Sequence, residues 1–184
     1  IFARMKFPIV FLLFALPLCT SFAQSTKRIA ITIDDLPVNT TDGSDARWQI
    51  ITNSILDALK KYNVPAIGFV NEGKLSMNGQ VSVARTKLLD QWFAQGLELG
   101  NHTWSHLEYN THSIDEYEAD IIKGSQYIDK LYRDVPERIR YFRHPYLHTG
   151  DTREKRNALT AVLIKHNYVV APVTVDNSDW IFAR

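Results

Sequence analysis

The sequence predicts an α/β fold built on a parallel sheet, either open or closed into a barrel. Three observations carry this expectation. Short apolar segments alternate with longer segments of helical periodicity along most of the chain, as strand–helix–strand units do. The composition, 45% hydrophobic and 22% charged over 184 residues, is that of a globular protein, which excludes a disordered tail, a collagen or a coiled-coil rod. Four polar clusters each follow a predicted strand, and the carboxyl ends of parallel strands are where α/β proteins carry their sites.

Taken in order, residues 28–33 form a short Ile-rich strand ending at Asp34 and Asp35. Residues 48–62 place Ile51, Ile55, Leu56 and Leu59 at helical spacing. A second strand, 66–70, follows Pro65. Residues 81–95 make a second helix, with Leu88, Leu89, Trp92 and Phe93 on one side and Gly96 as its stop. Residues 97–99 are a third strand running into His102. Ser113 and Glu116 form a capping box for one helix over 114–132. Residues 140–142 are strand-like and lead to Arg143. Asp151 is positioned to cap a helix over 152–166, and 168–175 holds one or two strands around Pro172.

The N-terminus reads as a secretory leader. Met5 and Lys6 precede an apolar run over 7–18, and Ser21-Phe22-Ala23 is a small-x-small cleavage site before Gln24. The run is too short to span a bilayer comfortably. The expected boundaries are a signal peptide at 1–23 and a single domain at 24–184, exported to the periplasm or beyond, with no membrane span once the leader is removed. Met5 reads as the start, with residues 1–4 an extension; their Ile-Phe-Ala-Arg tetrapeptide recurs at 181–184. The domain is expected to be incomplete at its C-terminus, since the sequence stops just after an apolar run. Of 21 basic residues, Arg4 and Lys6 lie in the leader with no acid, which leaves 19 against 20 acidic and a net charge of −1. No basic face is implied, so nucleic acid is not an expected partner. The single cysteine, Cys19, is also in the leader, which excludes disulfides, a thiol nucleophile and cysteine metal sites from the domain.

The polar clusters suggest metal-assisted hydrolysis. His102 and His106 stand four residues apart, so both can reach one side of a turn as two ligands of one ion must; two surface histidines would match by accident. Asp34 and Asp35 could be mere turn formers, but adjacent carboxylates resist joint ionisation unless a cation compensates. A metal on one and Arg143 near the other would do so. An ion held by two histidines and one carboxylate keeps a position for water, and the second carboxylate can take its proton. Arg143 is followed by Pro145 and Tyr146, which suits orientation of a buried carboxylate, or alternatively a surface ion pair. Residues 176–180 combine Asp176 and Asp179 with Trp180, an aromatic able to stack on a sugar, or alternatively a helix cap with a core tryptophan.

Together these segments resemble the polysaccharide deacetylase (NodB-homology) family, carbohydrate esterase family 4. Thr32-Ile33-Asp34-Asp35-Leu36-Pro37 is similar to its T-F-D-D-G-P motif, with Ile33 and Leu36 as departures. Residues 102–106 match H-[ST]-x-x-H, 143–146 match R-x-P-Y, and 176–180 match D-x-x-D-W. The resemblance implies a distorted (β/α) barrel and a divalent metal, usually zinc, bound by Asp35, His102 and His106. It makes Asp34 the general base, oriented by Arg143. It makes the Tyr146 N–H an oxyanion donor, and Pro145, Tyr146 and Trp180 substrate contacts, with Asp179 supporting the acid side. The reaction implied is removal of N- or O-acetyl groups from an acetylated glycan. The family's L-x-H motif, which carries the general acid, does not occur before Arg184, so this stretch is expected to be poorly active; only if it proved as active as a longer chain would His144 or His148 become the next candidates for the proton donor. Leu36 replaces a glycine that lets substrate approach, which leaves peptidoglycan, chitin-like oligosaccharides and acetylated xylan open. Two other readings use the same residues: a hydrolase of small-molecule amides or imides, and a carbohydrate-binding relative without catalysis.

Overall fold

The computed structural model describes residues 28–40, 43–135, 137–178 and 181. The leader, Asp179 and Trp180 lie outside the described residues. Five strands, β1 (Ile31–Leu36), β2 (Ala66–Val70), β5 (Glu98–Asn101), β6 (Arg140–Phe142) and β7 (Tyr168–Val170), form one sheet in that order, every pairing parallel. Spatial order therefore follows chain order. A doubly wound sheet reverses direction at a switch point, whereas this winding is that of a (β/α) barrel. A two-stranded hairpin, β3 (Ser76–Met77) and β4 (Gln80–Val81), stands apart from the sheet. Its two-residue turn is Asn78-Gly79, both at positive φ, the pairing such hairpins favour.

The helices begin where side chains can cap them. Ser44 accepts from the Arg47 N–H to start α1 (Asp45–Lys61), with Asp45 in the first turn and Lys60 and Lys61 in the last, charges that suit the helix dipole. Ser82 caps α2 (Val83–Ala94) in the same way. Thr152, rather than the expected Asp151, caps α5 (Arg153–Lys165) by accepting from the Lys155 N–H. The cores lie between helices and sheet. One gathers Leu36, Leu56, Val70, Leu89, Trp92 and Leu99; a second gathers Tyr109, Tyr117, Ile121, Phe142, Leu159 and Leu163.

Three further expectations are corrected. The first strand lies three residues further on, so Asp34 and Asp35 are within it. Ile33 pairs with Gly68 and Leu36 with Val70, so β1 holds one residue more than β2 between these pairs. This is a β-bulge, with Asp35 at φ 66°, and it breaks the alternation that would send one of two neighbouring side chains into the core. The single helix over 114–132 is two: α3 (Ile114–Lys123), opened by the Ser113–Glu116 capping box, and α4 (Gln126–Leu131). They part at Gly124, where a Cβ would stand 2.5 Å from the backbone of Thr103 and of Trp104. The buried Glu72 carboxylate then accepts from the Tyr127 and Ile128 N–H groups at the start of α4. Finally, 168–175 yields one strand, β7, which ends before Pro172; proline has no N–H for the ladder. Among the described residues no helix is long and apolar enough to cross a membrane.

Candidate metal centre

The C-terminal ends of β1, β5 and β6 bring Asp34, Asp35, His102, His106 and Arg143 together, as the sequence predicts. One ligand atom from each of Asp35, His102 and His106 can be chosen so that all lie within 4.8 Å of one another. Asp35 Oδ1 is 3.6 Å from His106 Nε2. His102 is nearly fully buried, and its Nδ1 lies 2.8 Å from the Arg143 carbonyl. A carbonyl only accepts, so Nδ1 carries the hydrogen and Nε2 presents its lone pair, the arrangement usual for a metal-binding imidazole. Burial lowers the pKa of both imidazoles, His102 to about 4, so both are neutral near pH 7 and able to ligate.

The loop carrying the histidines is built by its surroundings. Thr103 and His106 both have positive φ. Thr103 N–H donates to Asn101 Oδ1, Asn71 Nδ2 donates to the His102 carbonyl, and Trp104 N–H donates to the Asp120 carbonyl. The Asp120 carboxylate accepts from both the N–H and the hydroxyl of Ser105. The C-terminal half of α3 thus clamps the loop, and position 124 must be glycine because the loop occupies the space a Cβ would take.

Asp34 is held separately. Arg143, 3% exposed, directs Nη1 at both oxygens of Asp34 (3.2 and 3.4 Å), Nη2 at Thr32 Oγ1 and Nε at the Ala171 carbonyl, with its guanidinium 4.7 Å from the Phe69 ring. A guanidinium locked at three points fixes the carboxylate it faces. Pro145 is buried, while Tyr146 is exposed, at φ 55°, with its ring 4.4 Å from that of His106. The Leu147 and His148 N–H groups close this turn on the carbonyls of His144 and Pro145.

One finding had no signal in the sequence, and one expectation is corrected. Lys74 lies beside the acid pair, its Nζ 2.9 Å from the Asp35 carbonyl and 3.4 Å from Oδ1; burial lowers its pKa and Asp35 opposes this. Leu36, expected to alter substrate approach, is buried in the core, where a Cβ on Gly68 would collide with its Cδ1. Its side chain therefore does not narrow the groove.

Strand order and the convergence of charged groups at one end of the sheet define a (β/α)-barrel protein with a carboxylate–imidazole site able to hold a metal. The sequence profile of the polysaccharide deacetylase family matches residues 23–163, and the chain belongs to that family. The peptidoglycan-N-acetylglucosamine deacetylase of Bacillus cereus is 28% identical over 153 residues, which cover 83% of this chain and 46% of that protein. The structure of the peptidoglycan deacetylase PdaC from Bacillus subtilis superposes with a TM-score of 0.61 at 29% identity, covering 86% of this chain and 64% of that one. The chitin deacetylase of Colletotrichum lindemuthianum shares the fold, with a TM-score of 0.59 at 22% identity over 83% of this chain and 57% of that one. The chain thus spans less than half of the Bacillus cereus relative.

Proposed function

We propose that the protein is an exported, metal-dependent hydrolase that removes acetyl groups from a glycan, with N-acetylated peptidoglycan the substrate class its named relatives favour. The observation that carries this reading is the division of labour between two adjacent carboxylates. Asp35 groups with His102 and His106, ligand atoms within 4.8 Å of one another, whereas Asp34 is turned to Arg143. One carboxylate and two neutral imidazoles suit a divalent ion such as zinc. Bound there, the ion would polarise the acetyl carbonyl and acidify water, whose pKa a metal can bring to about 7.

The remaining work falls to the chain. Asp34, ionised and fixed by Arg143, accepts a proton from the attacking water. The Tyr146 N–H helps bear the charge that develops on the acetyl oxygen. The exposed Tyr146 ring contacts the sugar. The leader supports export, which fits a polysaccharide substrate outside the cytoplasm. Leu36 lies in the core, so its side chain gives no reason to depart from a glycan substrate. The test is a pair of variants. Asp35→Asn should lose tight metal binding. Asp34→Asn should retain one metal per chain and lose deacetylation. Loss of metal from Asp34→Asn with retention by Asp35→Asn would reverse the assignment.

A further inference from the structure

Each carboxylate at the end of β1 faces a fixed cation. Arg143 serves Asp34, whereas the reaction above gives Lys74, beside Asp35, no task. We propose that Lys74 is a second cation of the metal centre: its ammonium shares Asp35 with the bound ion, which weakens metal binding and leaves the filled site positively charged. The inference rests on the metal-dependent reading above.

Asp35 Oδ1 is the oxygen 3.6 Å from His106 Nε2, and Lys74 Nζ lies 3.4 Å from that same atom. The other oxygen, Oδ2, accepts from Asn39 Nδ2 at 3.2 Å. Lys74 Nζ also donates to the Asp35 carbonyl at 2.9 Å, so it grips the bulged residue at two points. The Lys74 backbone is held from behind. Its N–H donates to the Asn71 carbonyl, and its carbonyl accepts from Arg85 Nη1 at 3.0 Å. Arg85 is itself buried, bound to Asp45 Oδ1 and the Gly43 carbonyl, with its guanidinium 4.0 Å from the Trp48 ring. One residue earlier, the Gly73 N–H donates to the Trp104 carbonyl of the histidine loop, and a Cβ at 73 would lie 2.5 Å from that oxygen. The segment carrying Lys74 is thus tied to both the acid pair and the His102–His106 loop, and it cannot draw back without disturbing them.

The consequence is electrostatic. The two carboxylates of Asp34 and Asp35 and the two cations of Arg143 and Lys74 sum to zero, so a divalent ion would bring the site to +2. Without Lys74 the ion would meet a net charge of −1 and bind more tightly. The repulsion has a use. It leaves excess positive charge near the acetyl oxygen, which becomes negative as water attacks the carbonyl. A purely supporting partner of Asp35 would behave in the opposite way. Removing a group that only orients a ligand typically costs about 10–100-fold in metal affinity, whereas removing one that competes with the ion raises it.

Zinc affinity of the full chain at pH 7, measured by competition with a chromophoric chelator, decides between the two. Lys74→Met keeps the length of the side chain and removes its charge. Lys74→Gln is a second neutral replacement, and circular dichroism with thermal unfolding checks that each folds. Both should bind zinc at least about tenfold more tightly than the parent, at one ion per chain. Lys74→Arg, which retains the charge, should stay within about threefold of the parent. Zinc-loaded Lys74→Met should bind acetate, the product anion, at least about threefold more weakly than the zinc-loaded parent. Unchanged or weaker zinc binding by the neutral variants would overturn the proposal and make Lys74 a support of Asp35 alone. Tightening by Lys74→Arg equal to that by Lys74→Met would overturn it too, since charge would not be the cause, and so would unchanged acetate affinity. A parent chain that binds no zinc would instead overturn the metal centre, and with it the deacetylase reading.

Discussion

His144 offers a prediction whose size follows from the structure. It is 7% exposed, its ring meets that of Phe142 edge-on at 5.1 Å, and its Nδ1 has no hydrogen-bond partner. Burial, with a smaller contribution from the neighbouring Arg143 charge, lowers its pKa to about 4 from the ordinary 6.5. The folded-state value is the lower one, so as pH falls the unfolded chain takes up the proton first. Stability is therefore fully present above pH 6.5 and is lost between there and pH 4. Each pH unit of displacement is worth about 1.4 kcal/mol, so His144 should cost about 2 kcal/mol at pH 5 and about 3 kcal/mol at pH 4. His144→Leu keeps the volume and cannot titrate. Denaturant unfolding of metal-free parent and variant at pH 7 and pH 5 isolates the effect, because the buried His102 contributes its own acid sensitivity to both. The parent should lose about 2 kcal/mol more than the variant over this interval. Equal losses would show that His144 is protonated or solvated in the native state and would refute the argument.

Other outcomes follow from named contacts. Gly124→Ala should destabilise the fold by about 1–3 kcal/mol, because the new Cβ meets backbone that cannot move freely; thermal unfolding reads this, and weakened zinc binding should accompany it, since the same backbone belongs to the His102–His106 loop. Arg143→Lys should keep zinc stoichiometry and lower kcat, since one ammonium cannot reach Asp34, Thr32 and Ala171 together as the guanidinium does; unchanged turnover would remove Arg143 from the account. N-terminal sequencing of the exported protein should begin at Gln24, and retention of residues 7–18 would indicate an anchor instead.

The site was legible in the sequence because its residues fall at the ends of strands whose order could be read from alternation. His102, His106, Arg143 and the acid pair are brought together although they span more than a hundred positions. What was not legible depends on contacts across the fold. The bulge that presents Asp34 and Asp35 arises from the register of β1 against β2, and no pattern in Ile33-Asp34-Asp35-Leu36 announces it. Between α3 and α4, the need for glycine at 124 comes from the Thr103–Trp104 backbone and the new start of α4 from Glu72, both distant in sequence. Lys74 stands beside Asp35 only because the turn after β2 folds toward β1. The Asn78-Gly79 turn carried a recognisable signal, and the hairpin it makes lies outside the main sheet.

The central claim is that Asp34 and the Asp35–His102–His106 group act together as a metal-dependent deacetylase. Acetate released from an N-acetylated peptidoglycan fragment, measured while zinc is titrated into chelator-stripped protein, tests it most directly. Release should rise with zinc and saturate at one ion per chain, and Asp34→Asn should bind that ion and release little acetate. Acetate release that persists in the stripped protein, or that Asp34→Asn retains in full, would contradict the account.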